Sequence, residues 1–353
     1  MQDKVLNTAT SASQAVLPSI SRLATATWHY VPGIILMLVV GYAGKIVASY
    51  IPHSEYVLFA IAIGMVVRNA FNLPAYFAAG VATYDLWMKI GIVCLGARLA
   101  LQEVFSIGGS GILMVVVEIS VAILTAAYLG KIFGLKEKLA SLLGVGIGVC
   151  GVSAIISTTS AIEAEEDDAT YAIATILLFG AIMLFVYPFL GRLIGLSDTA
   201  FGYWTGLSID NTAEAVATGF AFSEAAGNIA TVVKLSRNAV MGVVVLLMAL
   251  HYARKGITGE VQNKAAFLWS RLPKFLIGFL AFSLLATIGF ITPAQASVLN
   301  NASKWLFMIT FAGVGLSTDF RRLRAGIKPF LVGFGVETVV SVVTFALVYL
   351  LIP

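Results

Sequence analysis

Charge is what this sequence has least of. Asp, Glu, Lys and Arg make up only 11% of its 353 residues, against about 25% in a soluble domain. Hydrophobic residues account for 59%, which leaves too little polar side chain to clothe a water-facing surface. An ordinary soluble fold is therefore excluded, and lipid becomes the solvent. Cysteine is nearly absent. Cys94 and Cys150 both lie in apolar segments, so a disulfide framework and a Cys/His metal pattern are excluded as well. No phosphate-binding loop, HExxH or nucleophile elbow occurs, so no cofactor, metal or ATP-driven step is expected. The balance of 22 basic to 18 acidic residues is too even to suggest a nucleic-acid partner. Residues 1–30 hold no apolar core ahead of Ala24-Thr25-Ala26 and do not read as a signal peptide. They read as a cytoplasmic or interfacial arm before one transmembrane domain over 31–353.

What is there in quantity is long apolar segments. About 20 apolar residues cross the hydrocarbon core as a helix. The sequence predicts eleven such helices, near 31–51, 55–70, 85–102, 109–130, 138–162, 169–191, 199–222, 227–252, 273–291, 300–319 and 328–352. The connections alternate in charge under this count. Lys131, Lys136, Lys138, Arg192, Arg254, Lys255 and Arg321 fall on one side. Glu103, Glu224 and the run Glu163 to Asp168 fall on the other. Positive charge marks the cytoplasmic side, which predicts a multi-pass protein of the cytoplasmic (inner) membrane with its N-terminus inside and its C-terminus outside. Gly148 to Gly151 in the fifth segment and Gly313 to Gly315 in the tenth suggest an inverted repeat of five plus five helices, with the first helix extra. A seven-helix offset, matching Leu95-Gly96 and Glu118 to Val314-Gly315 and Glu337, competes with it.

Ionisable residues within membrane segments are costly and need a reason. Lys89 and Lys304 sit near segment ends, where they can snorkel. Glu118 and Glu337 lie deeper and read equally well as structural ion-pair partners. The seventh and eighth segments concentrate four charges. Asp210 and Glu214 share one helix face, as do Lys234 and Arg237. At about 1.5 Å per residue the four reach overlapping depths. They form either a neutralised lock between two helices or a site in which the bases attract an anion and a carboxylate exchanges a proton.

The fifth segment, Gly144-Val145-Gly146-Ile147-Gly148-Val149-Cys150-Gly151-Val152-Ser153, is the second such place. Its glycines either let another helix approach closely or break the helix near Cys150 and Gly151. A break would start a half-helix whose free N–H groups face an anion.

The run Gly148 to Ile155 resembles the "ICGxSAI" signature of the YeiH-type sulfate exporter family. The likeness continues through Tyr171 to Gly180, Tyr187-Pro188, Gly206 to Gly219, Lys234-x-x-Arg237 and the last two segments. It covers most of the chain from about residue 30. The resemblance implies kinship with sodium/proton antiporters and bile-acid symporters: a panel and a core, crossed broken helices, a homodimer, elevator-type motion and export of a small sulfur oxyanion. The chain departs from that pattern at Asp210-Asn211, where the family carries His and an acid, and at Glu214, where it carries Gln.

The resulting expectation is an all-α secondary transporter for a sulfate- or sulfite-like anion, with broken fifth and tenth helices. Cys150, Gly151, Ser153, Asn211, Thr212, Lys234 and Arg237 would bind the anion, and Asp210 or Glu214 would carry the coupling H⁺. A Na⁺/H⁺ antiporter is the alternative. An intramembrane aspartyl protease and a non-transporting scaffold are further rivals, and no enzymatic activity is expected.

Overall fold

The computed structural model describes residues 28–51, 55–71, 73–259, 263–319 and 327–352. The N-terminal arm up to residue 27 and the basic cluster Arg321, Arg322 and Arg324 lie outside the described residues. Sixteen helices and no strand occur among the described residues. In chain order these are α1 (Val31–Ser49), α2 (Tyr56–Ala70), α3 (Ala75–Val81), α4 (Tyr84–Gly96), α5 (Leu101–Phe133), α6 (Glu137–Gly148), α7 (Val152–Ile162) and α8 (Glu166–Ile194). They continue as α9 (Asp198–Ser208), α10 (Thr212–Phe222), α11 (Glu224–Ala239), α12 (Met241–Arg254), α13 (Lys264–Arg271), α14 (Lys274–Thr287), α15 (Pro293–Ser317) and α16 (Ile327–Leu351). Six of the described helical stretches are long and apolar enough to cross a membrane, or seven if the bent pair α13–α14 is one span. Large apolar side chains such as Leu113, Leu124, Val342 and Leu350 stand on the outer surface, as they do on a protein solvated by lipid.

The fifth and seventh predicted segments are each two half-helices. Their mouths show that they fold back rather than run on. Lys136 Nζ lies 2.6 Å from Glu165 Oε2, and Lys138 Nζ donates to the Glu163 carbonyl at 2.6 Å. The start of α6 and the end of α7 therefore meet. Gly146 of α6 leaves room for the Ile155 side chain of α7, so the two run side by side. In the second unit Ser223 Oγ donates to Asp198 Oδ1 at 2.7 Å, and Phe201 stacks on Phe222 with centroids 4.0 Å apart. The start of α9 and the end of α10 meet as well. Each hairpin descends 11 or 12 residues, or about 16–18 Å, roughly half the ~30 Å hydrocarbon core.

The helix between them, α8, sets their relation. The first hairpin closes at the N-terminal end of α8. The second closes at its C-terminal end, where Arg192 donates to the Ala221 carbonyl at 3.2 Å. The hairpins thus enter from opposite ends of α8 and meet at their tips. This corrects the charge sorting read from the sequence. The acidic run beginning at Glu163 lies beside Lys136 and Lys138, and Arg192 lies at the far end of α8. A segment that returns to its own side reverses the sides of every later connection, and the second hairpin restores them.

Each hairpin is preceded by a similar local sequence, identical at four of seven positions. Leu129-Gly130-Lys131-Ile132-Phe133-Gly134-Leu135 recurs as Leu190-Gly191-Arg192-Leu193-Ile194-Gly195-Leu196. Gly134 and Gly195 end α5 and α8 in the left-handed conformation, at φ 69° and 75°, which only glycine adopts freely. A Cβ on Gly130 would strike Ala140, and one on Gly191 would strike Phe201, at corresponding positions of the two hairpins.

The expected break in the tenth segment is absent: α15 runs unbroken from Pro293 to Ser317. Gly313 and Gly315 serve close packing instead. A Cβ on Gly315 would lie 2.3 Å from the Ile61 carbonyl oxygen, and one on Gly313 would lie 2.3 Å from Tyr84 Cβ. Two bundles result. Helices α1–α4, α14 and α15 pack on one another, and α5–α12 pack with α16. Between the bundles, α10 leans on α2 and α15, and α14 on α5.

Candidate functional site

The hairpin tips meet half-way through the molecule. Gly151 takes φ 66° and ψ −122°, and a Cβ there would lie 3.3 Å from Asn211 Cα and N. Glycine is required both for the backbone and for the approach. Four helix termini converge at this point: the C-terminal ends of α6 and α9, which leave carbonyls without partners, and the N-terminal ends of α7 and α10, which leave N–H groups. The two kinds of end are treated differently.

The carbonyl ends are filled by two bases from α11. Lys234 Nζ donates to the Val149 and Ile209 carbonyls, each at 2.8 Å. Arg237 donates to the carbonyls of Ile147, Gly206 (3.3 Å), Leu207 and Ile209 (3.0 Å), and to Glu118 Oε1 at 3.3 Å. Both side chains are completely buried. Cation and negative helix end complement each other, and the α11 face that carries both bases ties the two tips together. Lys234 and Arg237, expected to touch substrate, line none of the three cavities around the tips.

The N-terminal ends face open space. Asn211 Oδ1 accepts from the Ala213 N–H at 2.9 Å and caps α10. The N-cap of α7 is Gly151, which has no side chain to cap it, and of the first N–H groups that of Ala154 faces the Cys150 sulfur. A cavity of ≈ 440 Å³ is lined by Tyr84, Asp85, Cys150, Val152, Ser153, Asn211, Thr212 and Ser317. An adjoining one of ≈ 370 Å³ shares Asp85, Cys150, Ser153 and Thr212 with it and adds Lys89, Ser157, Asn238 and Arg271. Asn238 Nδ2 donates to Thr212 Oγ1 at 3.1 Å. Lys89 is paired with Asp85, and Arg68 with Asp319 at 2.9 Å. Cys150 Sγ donates to Met241 Sδ at 3.3 Å, and the buried thiol is a packing group at the tip. The structure thus gathers Cys150, Gly151, Ser153, Asn211 and Thr212 at one place.

The expected coupling residues lie elsewhere. Asp210 and Glu214 are buried, and neither Asp210 oxygen has a hydrogen-bond donor. Glu214 reaches the wall of the third cavity, of ≈ 500 Å³, beyond Asn211, whose lining includes Ile173, Leu177, Leu178 and Val314. That cavity is the largest, but its largely apolar wall suits the site less well than the two that meet at the helix N-termini. Two buried carboxylates join this set from other helices, Glu118 of α5 and Glu337 of α16, both at most 1% exposed. The sequence flagged both without a role. Each interrupts a long apolar run far from either end, which marks it in the sequence, but nothing near it in sequence names a partner. No group of three His, Cys, Asp or Glu residues among the described residues is arranged to hold a metal ion.

Known proteins are similar to this chain along most of its length. The family model described as "Conserved hypothetical protein 698" matches residues 32–333. A "UPF0324 membrane protein" of Nitratidesulfovibrio vulgaris is 32% identical over 342 residues, covering 93% of this chain and 95% of its own. Proteins of the same designation from Clostridium tetani (28% over 332 residues, 90% and 96%) and Streptococcus agalactiae serotype V (30% over 314 residues, 86% and 92%) are also similar. The matched region holds both hairpins, the α11 bases and Glu118, and the chain belongs to this family of membrane proteins, described as conserved hypothetical protein 698.

Proposed function

We propose that the protein is a secondary active transporter whose substrate is a small inorganic oxyanion. One observation carries this reading: at the hairpin tips the N-terminal ends of α7 and α10 converge on a cavity, while the carbonyl ends of α6 and α9 beside them are filled by Lys234 and Arg237. Helix N-termini bind anions through free N–H groups and the helix dipole. Ser153, Thr212 and Asn211 add polar side chains of a size suited to a tetrahedral or pyramidal oxyanion. Lys234 and Arg237 act at one remove, by holding the tips in place. The sulfate-exporter resemblance favours sulfite or sulfate, and no residue here separates the two.

Opposed hairpins with repeated flanking sequence support an inverted repeat of helix plus hairpin, in place of a five- or seven-helix offset. All eleven predicted segments then belong to the membrane, nine as crossings and two as re-entrant hairpins. The side with Lys131, Lys136, Lys138, Arg254 and Lys255 is the cytoplasmic one, which keeps the N-terminus inside and the C-terminus outside. An elevator-type displacement comes to this reading from the resemblance, and it would slide along the apolar seam that Val57, Ile61 and Phe311 share with Val216 and Leu235. A homodimer is part of this reading through the resemblance alone. The Na⁺/H⁺ antiporter remains the second reading, favoured by the donor-free carboxylate of Asp210.

The test is thermal stability of the detergent-solubilised protein against sulfite, sulfate, chloride and Na⁺. A ligand bound by the folded state alone raises the melting temperature, by about 2.7 kcal/mol of stabilisation at a hundredfold excess over Kd. Stabilisation by sulfite or sulfate that is lost in the Ser153→Ala/Thr212→Val double variant supports the oxyanion site. Stabilisation by Na⁺ alone replaces it with the antiporter.

A further inference from the structure

The bases of α11 leave part of the buried acid unbalanced. Four carboxyl groups, Glu118, Asp210, Glu214 and Glu337, surround two cations, Lys234 and Arg237, and all six are at most 3% exposed. Glu118 is paired with Arg237. Asp210 and Glu337 have no such partner. No nitrogen or hydroxyl donates to any of their four oxygens, yet the two carboxyls lie within hydrogen-bonding reach of each other, one at the second hairpin's tip and one on α16. An ionised carboxylate only accepts hydrogen bonds. Two of them facing each other in a dry interior repel, and the one bond open to them needs a proton on one partner, as in any carboxyl pair that shares a site.

From this contact we propose that Asp210 and Glu337 form a single proton-binding site, and that the coupling proton rides on the pair rather than on Glu214. The second clause rests on the transporter reading; the first does not. The groups around the pair fit a monoprotonated state. Arg237 and Lys234 stand on the α11 side, Glu118 on the α5 side and the Tyr187 hydroxyl on the α8 side, with Glu214 one turn further along α10. One proton on the pair leaves a single negative charge there, which Lys234 balances, while Arg237 balances Glu118 and Glu214 is left without a cation of its own. The pair also sits where substrate can sense it. Asn211, next to Asp210 in the chain, caps α10 and lines the anion cavity, so an anion drawing on that helix end moves the backbone that carries Asp210.

Infrared difference spectroscopy on the purified full chain between pH 6 and 8 tests the site, because a protonated carboxyl has a carbonyl stretch that carboxylates lack. Asp210→Asn and Glu337→Gln, each made in a Glu214→Gln background so that this third buried acid adds no band, replace one acid by an amide that can donate to its partner, and both are expected to lose the band. Glu214→Gln is expected to keep it. A band that persists in both amide variants, or its absence from the wild type, overturns the proposal. Should the amide variants fail to fold, the Glu214→Gln protein decides, with a retained band in support and a missing one against. Sulfite-dependent melting shifts on the same samples separate the two readings. A missing band beside an intact shift removes the proton pair and leaves the oxyanion site standing. A band without any shift does the reverse.

Discussion

At the residue scale, Arg237 is the position on which most depends. One guanidinium serves four carbonyls at two helix ends and a buried carboxylate. Removing it leaves Glu118 charged and unpaired, which in buried pairs costs about 3–5 kcal/mol. Arg237→Gln is therefore expected to lower the melting temperature sharply whether or not anion is present. Glu118→Gln should restore part of that loss in a double-mutant cycle, and additivity of the two changes would contradict the pairing. Gly151 is constrained in a different way. Gly151→Ala forces a side chain into a backbone conformation reserved for glycine, at about 1–3 kcal/mol. It also pushes the tips apart, so transport should fall more than stability does, as counterflow in proteoliposomes beside a melting curve would reveal. The sequence made both residues visible, but it did not show that Arg237 bonds helix-end carbonyls and Glu118. Spacing gives the face of a helix and its depth. It does not say that a carbonyl end will reach the base before a ligand can.

At the element scale, the distinction between a crossing and a hairpin is open to direct labelling. With Cys94 and Cys150 replaced, single cysteines at positions 136 and 164 should react with a membrane-impermeant reagent from the same side. Cysteines at 194 and 223 should react from the other. Reaction of 136 and 164 from opposite sides would return the first hairpin to a full crossing. Its mouth is also sensitive to acid. Lys136 beside Glu165 holds that carboxyl below its ordinary value of 4.5. The contribution of this pair is present above that value and is lost as pH falls below it, so the protection of the amides near Glu163, taken relative to their intrinsic exchange rates, should fall only in acid. The break at Gly151 was legible because glycines crowd there. The break at Asp210 was not: Leu207-Ser208-Ile209-Asp210-Asn211 holds no glycine or proline, and its chain is held open by Lys234, Arg237 and the Asn211 cap, the first two being contacts distant in sequence. The repeated pattern of Leu-Gly, a base, two apolar residues and Gly-Leu is legible too, but its spacing is shorter than the five helices expected of the repeat. Glycines in α15 raised the opposite error, since there they serve packing.

At the scale of the whole molecule, composition alone established the solvent and the all-helical class, whereas the partition into two bundles needed the contacts. Those bundles are bridged at one rim by Glu224, which pairs with Arg98 and with Lys304 at 3.0 Å. A cysteine pair at 98 and 224, joined by a bifunctional crosslinker that spans the two lost side chains because a disulfide is too short to do so, should arrest transport and leave anion binding intact; undiminished flux in the locked protein would rule out displacement of the bundles along that rim. The tip-to-tip contact has an electrical consequence too. If cavities carry water to both faces of the tips, the membrane voltage falls across the few ångströms around Gly151 and Asn211 and not across the whole bilayer. A full elementary charge moved through that septum exchanges about 2.3 kcal/mol per 100 mV with the field. Turnover would then answer steeply to membrane potential although the anion itself travels only a short way.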